Sequence, residues 1–381
     1  MKLSWTVRRG KRSRGFSLVE LLVVIAIIAA LIAILLPAIQ YARATARRST
    51  SQSNLRNITQ AILNYETANG FLPVAGRVPG DVKPRTGWML HILPQLDRRD
   101  LYERYDFSKD WYHADNLAVT STRLPVLLDP SSPAPERLDG RPEAFAGIVG
   151  VTDYANIRAV DQRLFTGSGA TGGTPGVDGP NTPTTNIIGG GKGLATGGTY
   201  AQQKTLGAFV NAWGLGALAP NTKARLADIT DGVSHTIFLA ESHGRPYLYQ
   251  RGVKASDDLA AVRVNGGGWS RNANDIRLAG FTKDGKSAIG SWGINAANGV
   301  QVNSSDGQAA NWGQGGTHAD AARDGSGGIY SFHPGGAHLS FGDSSVKFVS
   351  EFIDISVLAA LATRDQNELV DDFNIDNPTA R

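Results

Sequence analysis

The stretch that decides the architecture is "RGFSLVELLVVIAIIAALIAILLPAIQ", residues 14–40, an apolar run with a single acid, Glu20, near its start. Sixteen apolar residues follow without interruption from Leu21 to Leu36. A helix of this length spans the roughly 30 Å hydrocarbon core of a bilayer. We therefore expect a transmembrane helix over residues 16–39. Because a carboxylate at membrane depth is costly, Glu20 is a functional candidate.

The charges around this run predict its orientation. Cations on the N-terminal side of a span favour a cytoplasmic N-terminus and place the following chain across the membrane. Arginines after the span reduce this asymmetry without reversing it. The six leading cations are Lys2, Arg8, Arg9, Lys11, Arg12 and Arg14, and the later arginines are Arg43, Arg47 and Arg48.

The basic character of the chain belongs to its first 15 residues. The whole chain has 38 basic and 34 acidic residues, and without residues 1–15 the counts become 32 and 34. No basic stripe is left on the body, so a nucleic-acid partner is not expected.

A cleaved secretory signal is the alternative for the apolar run, since Ala42-Arg43-Ala44 and Ala44-Thr45-Ala46 offer small-x-small sites. A plain membrane anchor is a further alternative. The run is longer than the apolar region of a typical signal peptide, and Glu20 beside it would be costly. Both features favour a different kind of N-terminus.

The residues Arg14-Gly15-Phe16-Ser17-Leu18-Val19-Glu20 and the apolar helix after them resemble the processing site of type IV prepilins and type II secretion pseudopilins. The resemblance implies that residues 1–15 are a leader and that a membrane-embedded prepilin peptidase cuts after Gly15. It also implies N-methylation of Phe16. In that family the acid at the position of Glu20 pairs with the N-terminal amine of a neighbouring subunit during assembly.

The chain stays helical beyond the span. Leu55, Ile58, Ile62 and Tyr65 follow one another at intervals of 3, 4 and 3 residues, which is one apolar stripe of an amphipathic helix. We therefore expect residues 40–70 to continue the helix to about Ala68 and to pack on the body.

Residues 71–381 are predicted to form an extracytoplasmic body of class α+β. Short runs with the alternation and the β-branched or aromatic residues of strands lie between segments rich in glycine, proline, asparagine and aspartate. Glycine-rich stretches at 166–200 and 306–328 are predicted to be long loops. One long helix followed by a mostly antiparallel sheet gives a pilin-like arrangement.

The body carries a second resemblance, to a large family of bacterial prepilin-like proteins with a C-terminal domain of unknown function. Its typical motif is a histidine, nine residues and then Asp-Gly. His333 and Asp343 have this spacing, with Ser344 in place of the usual glycine. The segments that carry the resemblance are 35–73, 87–111, 227–241, 331–350 and 358–370.

Members of that family commonly carry cysteines where Ser51 and Asp129 stand here. The resemblance implies a disulfide between helix and body in those relatives. This chain has no cysteine at all, so it must do without that bond and without any thiolate chemistry.

The motif around His333 has two interpretations. With His338 and Asp343 it offers nitrogen and oxygen ligands for a metal. The alternation of Ala337, Leu339 and Phe341 with polar residues instead predicts a hairpin strand. We favour the second interpretation, in which His333 and Asp343 bond to loop backbone at the two ends of the hairpin, and we expect no metal.

Asp231-Gly232 predicts a turn before a strand that ends at Glu241, whose carboxylate would hold a neighbouring loop. A calcium site built from Asp228, Asp231 and Glu241 is an alternative, although the spacing is not that of an EF-hand. Tryptophans such as Trp88 and Trp269 are expected in the core.

No nucleophilic elbow, zinc-protease motif or phosphate loop occurs, so neither an enzyme nor a cofactor is expected.

The first hypothesis is a single-pass protein of a bacterial inner membrane that assembles with other pilin-like subunits into a pseudopilus or pilus-like filament. The alternative is an anchored binding module for a glycan, peptide or other solute, with or without Ca²⁺.

Overall fold

The computed structural model describes residues 18–74, 84–140, 148–161, 212–219, 223–259, 261–264, 266–286, 290–302 and 327–365. Gly15, Phe16, the whole predicted loop 166–200 and all but the last two residues of 306–328 lie outside the described residues. The chain divides into two compact units, Met1–Ala46 and Arg47–Arg381.

Helix α1, Leu18–Asn69, contributes residues to both units. Its early part is the stretch, among the described residues, that is long and apolar enough to cross a membrane. The side chains of this part are exposed rather than packed into a core, with Leu18 78% and Ile34 74% exposed. An exposed apolar surface of this extent marks a region that contacts a membrane or another protein rather than water.

The other helices are short. Past α1, the described residues contain α2 (Trp88–His91), α3 (Arg99–Arg104), α4 (Ala114–Thr120) and α5 (Ile355–Ala362), and the 3₁₀ turns Leu93–Leu96, Pro125–Leu127 and Leu226–Asp228.

The strands of the second unit are also mostly short. They are β1 (Leu138–Asp139), β2 (Val149–Gly150), β3 (Tyr154–Asp161), β4 (Ala212–Leu215), β5 (Ile237–Glu241), β6 (Tyr249–Gln250), β7 (Val253–Lys254), β8 (Arg263–Val264), β9 (Asp275–Leu278), β10 (Gln301–Val302), β11 (Gly336–Phe341) and β12 (Val346–Ser350).

The central sheet of this unit has six strands in the order β12-β11-β5-β3-β4, and β9 pairs with β3. Every pairing in it is antiparallel except that of β3 with β9. A long N-terminal helix and a mostly antiparallel sheet confirm the predicted α+β class.

The central sheet is buried on both faces. One core contains Leu55, Ile58 and Ile62 of α1 together with Phe238 of β5 and the buried Trp269. This confirms the apolar stripe of the helix and a core position for that tryptophan.

A second core collects side chains of the same sheet against α5. Its members from β5 include Ile237 and Ala240, and those from α5 include Leu358 and Leu361. Residues of β5 thus contribute to both cores.

The alternation in β11 predicted one apolar and one polar face, and the structure buries both. Ala337, Leu339 and Phe341 belong to the α5-side core. On the other face, Ser340 Oγ lies 2.6 Å from Thr59 Oγ1 of α1, so the polar side chain is satisfied inside the protein. Helix α1 covers the face that an isolated hairpin would show to water.

The turn of the β11–β12 hairpin holds Ser344 in an unusual backbone conformation. Asp343 Oδ1 accepts a hydrogen bond from the Ser345 backbone N–H at 2.8 Å. Ser344 has φ of +68°, in the left-handed region where a side chain is disfavoured. Glycine adopts this conformation without that cost.

We expect Ser344→Gly to stabilise the body by up to about 1 kcal/mol, because the relief of left-handed strain exceeds the added entropy of the unfolded chain. The measurement is thermal unfolding of the full chain in detergent, followed by tryptophan fluorescence. Ser345→Gly, at the next position and with ordinary φ, is the control and should destabilise. Equal effects of the two substitutions would contradict the strain argument.

Candidate functional site

Two carboxylates and three imidazoles meet in the interior of the second unit. We call this group the His–carboxylate cluster, and its residues are Asp129, Glu241, His243, His333 and His338. All five are at most 4% exposed. Buried charges of this kind require partners, because the transfer of an isolated carboxylate out of water is very costly.

Glu241 stands at the end of β5 and points into the cluster. The backbone N–H of His338 donates to its Oε2 at 2.9 Å, and His338 Nδ1 lies 2.9 Å from its Oε1. The hydroxyl of Ser51, on α1, donates to the same Oε1. Glu241 therefore connects the helix, β5 and β11 through one carboxylate.

Asp129 follows the 3₁₀ turn Pro125–Leu127, and its two oxygens have different tasks. Oδ1 accepts hydrogen bonds from Ser131, from the backbone N–H at 2.6 Å and from the hydroxyl. Oδ2 faces the histidines, 3.3 Å from His333 Nε2 and 3.7 Å from His243 Nε2.

His243 comes two residues after Glu241 and is fully buried. The Phe332 backbone N–H approaches its Nδ1 at 3.4 Å, and the two rings stack with centroids 6.1 Å apart. Its Nε2 is buried and has no hydrogen-bond partner. The nearest acceptor that faces this nitrogen besides Asp129 is Glu241 Oε1, at 3.8 Å.

The charges of the cluster shift the pKa of its members. Burial raises the pKa of the Glu241 carboxyl, but His243, His333 and His338 lower it more strongly, and it lies well below its usual range. The pKa of the Asp129 carboxyl is likewise lowered, with burial opposed by His243 and His333. Burial lowers the pKa of His333, but hydrogen bonds to Asp129 and Glu241 raise it to about 9.

A second layer of buried groups fixes the loops that carry the cluster. Asp153 accepts hydrogen bonds from the backbone N–H of Asp129 at 3.0 Å and of Gly244 at 3.2 Å. Its charge is paired with Arg137, and both side chains are at most 2% exposed. Asp153 thus sets the positions of Asp129 and of the backbone next to His243.

The structure corrects part of the sequence interpretation of His333. Its ring faces the Asp129 and Glu241 carboxylates, not loop backbone, because strand pairing brings β5 and the segment before β11 together. The ring of His338 lies nearby, with centroids 5.3 Å apart. Asp343 is exposed in the hairpin turn, so the three ligands first considered do not form one set.

The calcium set considered from the sequence is not formed either. The Asp228 carboxylate pairs with Arg225 at 2.9 Å, at the surface, whereas Glu241 is fully buried among histidines. The metal-capable groups among the described residues contain neither Asp228 nor Asp231. Gly232, with φ of +97°, forms the predicted turn before β5.

Sequence reasoning missed His243 and the ligand character of Asp129. The position of His243, two residues after the glutamate that ends β5, was an available signal. Its neighbours in space, Asp129 and His333, lie about a hundred residues away in the sequence. Ser51 touches the cluster through Glu241, and Asp129 belongs to it. Asn54, one turn after Ser51, donates to Leu128 O at 3.0 Å, which ties these two segments together.

Comparison with known protein families places the chain. Residues 40–356 match the family described as "Protein of unknown function (DUF1559)", and the chain belongs to that family. Residues 10–36 match the prokaryotic N-terminal methylation motif, as in type IV pilin-like and pseudopilin subunits. Neither is an enzyme family. No curated protein and no solved structure gives a match.

We expect Ser51→Ala to destabilise the second unit by about 1–3 kcal/mol, because it removes a donor from a buried carboxylate. Ser53→Ala, exposed on the same helix, should change stability by less than about 0.5 kcal/mol. Denaturant unfolding of the full chain in detergent, followed by tryptophan fluorescence, measures both. Equal stability of the two variants would show that the Ser51–Glu241 bond contributes nothing.

Proposed function

We propose that this protein is a membrane-anchored pilin-like subunit, cut after Gly15, N-methylated on Phe16 and assembled with like subunits through α1. The observation that carries the proposal is the match of residues 10–36 to the methylation motif on a helix whose apolar side chains are exposed. The partners in this proposal are a prepilin peptidase, the membrane and other pilin-like subunits.

The physics of the first unit supports assembly beyond anchoring. Glu20 lies in the first turn of α1 and is followed by an apolar surface. An acid at this depth is unfavourable in a simple anchor, whereas cleavage after Gly15 creates an amine that an acid of a neighbouring subunit meets. Packing of helices against one another also removes the apolar surface from water and lipid.

The orientation follows from charge. The six cations of the leader remain on the cytoplasmic side of a bacterial inner membrane, and the second unit is placed outside the cytoplasm, in the periplasm or at the cell surface. A second unit with buried apolar cores suits a domain that folds in water after translocation.

The alternative, a binding module for a glycan, peptide or solute, rested on the glycine-rich stretches 166–200 and 306–328. Those stretches fall outside the described residues, apart from 327 and 328. No observation on the described residues favours this function, and the calcium set associated with it is not formed.

Processing is tested by mass spectrometry of the chain purified from membranes after co-expression with a prepilin peptidase. We expect the mature chain to begin with methylated Phe16. Gly15→Val should block cleavage because a bulky residue replaces the one before the cut. Gly10→Val, in the same leader, is the control and should be processed normally. A mature chain that begins elsewhere would rule out this assignment.

Assembly is tested by co-purification of tagged and untagged copies from membranes. We expect Glu20→Ala to reduce self-association by at least about tenfold, since the loss of one member of a buried charge pair costs roughly 3–5 kcal/mol. Glu66→Ala, on the water-facing part of the same helix, should leave it unchanged. Unaltered self-association of Glu20→Ala, with normal processing, would reduce α1 to an anchor.

A further inference from the structure

Two imidazole nitrogens of the His–carboxylate cluster each lie close to the same two carboxylate oxygens. His333 Nε2 lies 3.3 Å from Asp129 Oδ2 and 3.5 Å from Glu241 Oε1. His243 Nε2 lies 3.7 Å from Asp129 Oδ2 and 3.8 Å from Glu241 Oε1. Bonds of 2.0–2.2 Å at tetrahedral angles separate two ligands of Zn²⁺ by about 3.3–3.6 Å.

We propose that Asp129, Glu241, His243 and His333 form a structural site for one divalent transition-metal ion of the Zn²⁺ class. Three of the four separations are too long for good hydrogen bonds, yet they approach those between ligands of one ion. A contraction of a few tenths of an ångström would bring these four nitrogen–oxygen separations to the values expected around one tetrahedral ion.

Charge supports the same occupant. Asp129 and Glu241 are 1% and 0% exposed, and an oxygen of each faces the imidazoles of His243 and His333. Two carboxylates buried this close together need positive charge beside them. A divalent ion balances both and lets the imidazoles bind as neutral ligands, which removes the cost of a buried net charge.

His243 supplies an independent argument. Its Nε2 is a fully buried polar atom without a hydrogen-bond partner, and it faces the two carboxylates. Buried polar atoms rarely go without a partner in native proteins. The Phe332 N–H at 3.4 Å from Nδ1 is a long contact; a neutral imidazole that binds a metal through Nε2 carries its proton on Nδ1, so metal binding replaces this contact.

The surrounding residues hold the ligands as outer partners of metal sites do. His338 bonds both oxygens of Glu241, Ser51 bonds Oε1, and Ser131 occupies the Asp129 oxygen that faces away from the histidines. His338 is therefore a positioning residue that orients a ligand. Such outer partners typically change metal affinity by about 10–100-fold.

The ligand atoms of the proposed site determine which kind of ion it binds and whether that ion has a structural or a catalytic role. Imidazole nitrogen favours zinc-class metals over Ca²⁺ or Mg²⁺, which prefer oxygen ligands only. Four protein ligands leave no open position, which is typical of structural rather than catalytic zinc. The ion would join the Asp129 loop, the end of β5 and the segment before β11, and no large ligand can reach a point so deeply buried.

The test uses the full-length chain in detergent, purified with a tag that lacks histidine. The protein is stripped with a chelator and titrated with Zn²⁺ and, separately, with Co²⁺. We expect about one ion per chain, an unfolding temperature that rises with free Zn²⁺, and intense visible Co²⁺ absorption of a tetrahedral site. Absence of binding by the stripped wild-type chain, which retains its fold by circular dichroism, would overturn the proposal.

Variants locate the site. His333→Gln and His243→Gln should each weaken Zn²⁺ binding at least about 100-fold, and His338→Gln by about 10–100-fold. His113→Gln, an exposed histidine outside the cluster, is the matched control and should bind as wild type. If a ligand variant fails to fold, X-ray absorption of the wild-type Zn²⁺ complex decides. Two imidazole nitrogens at about 2.0–2.1 Å from the zinc support the site, whereas a coordination shell of oxygens alone refutes it. Undiminished Zn²⁺ binding by both His333→Gln and His243→Gln also refutes it.

Discussion

The second unit depends on the buried carboxylate of Glu241. It receives the Ser51 hydroxyl from α1 and both a backbone and a ring nitrogen from His338 in β11, and two further histidines face it. Its burial is tolerable only because these groups arrive from distant parts of the chain. The docking of the helix, the pairing of β5 with β11 and the placement of the Asp129 loop are therefore mutually dependent.

The elements with a local cause were predictable. The intervals between Leu55, Ile58 and Ile62 place them on one face of a helix, and all three are fully buried. The turn chemistry of Asp231-Gly232 and of the residues around Asp343 predicted the ends of strands. These features follow from side-chain period and backbone sterics, which act over a few residues.

The site was not predictable in the same way. The alternation of polar and apolar residues in β11 is typical of a strand with one face in water. His338 and Ser340 are nevertheless buried, because α1 and Glu241 supply their partners. Asp129 and His333 are separated by 204 positions and lie 3.3 Å apart. Only strand register and loop placement produce that contact, and no pattern within one segment carries this information.

Glu20 and Glu241 present the same physical problem, a carboxylate beside apolar side chains, and meet it differently. Glu241 lies in water-free surroundings within a single chain, and its own fold brings the compensating groups to it. Glu20 lies at the start of a helix whose apolar side chains are exposed, so the apolar surroundings come from lipid or from other chains. A charge whose environment is completed outside its chain favours association, whereas one completed inside favours a unique fold. In the proposed function the carboxylate of Glu20 serves assembly, whereas that of Glu241 holds together the fold of the second unit.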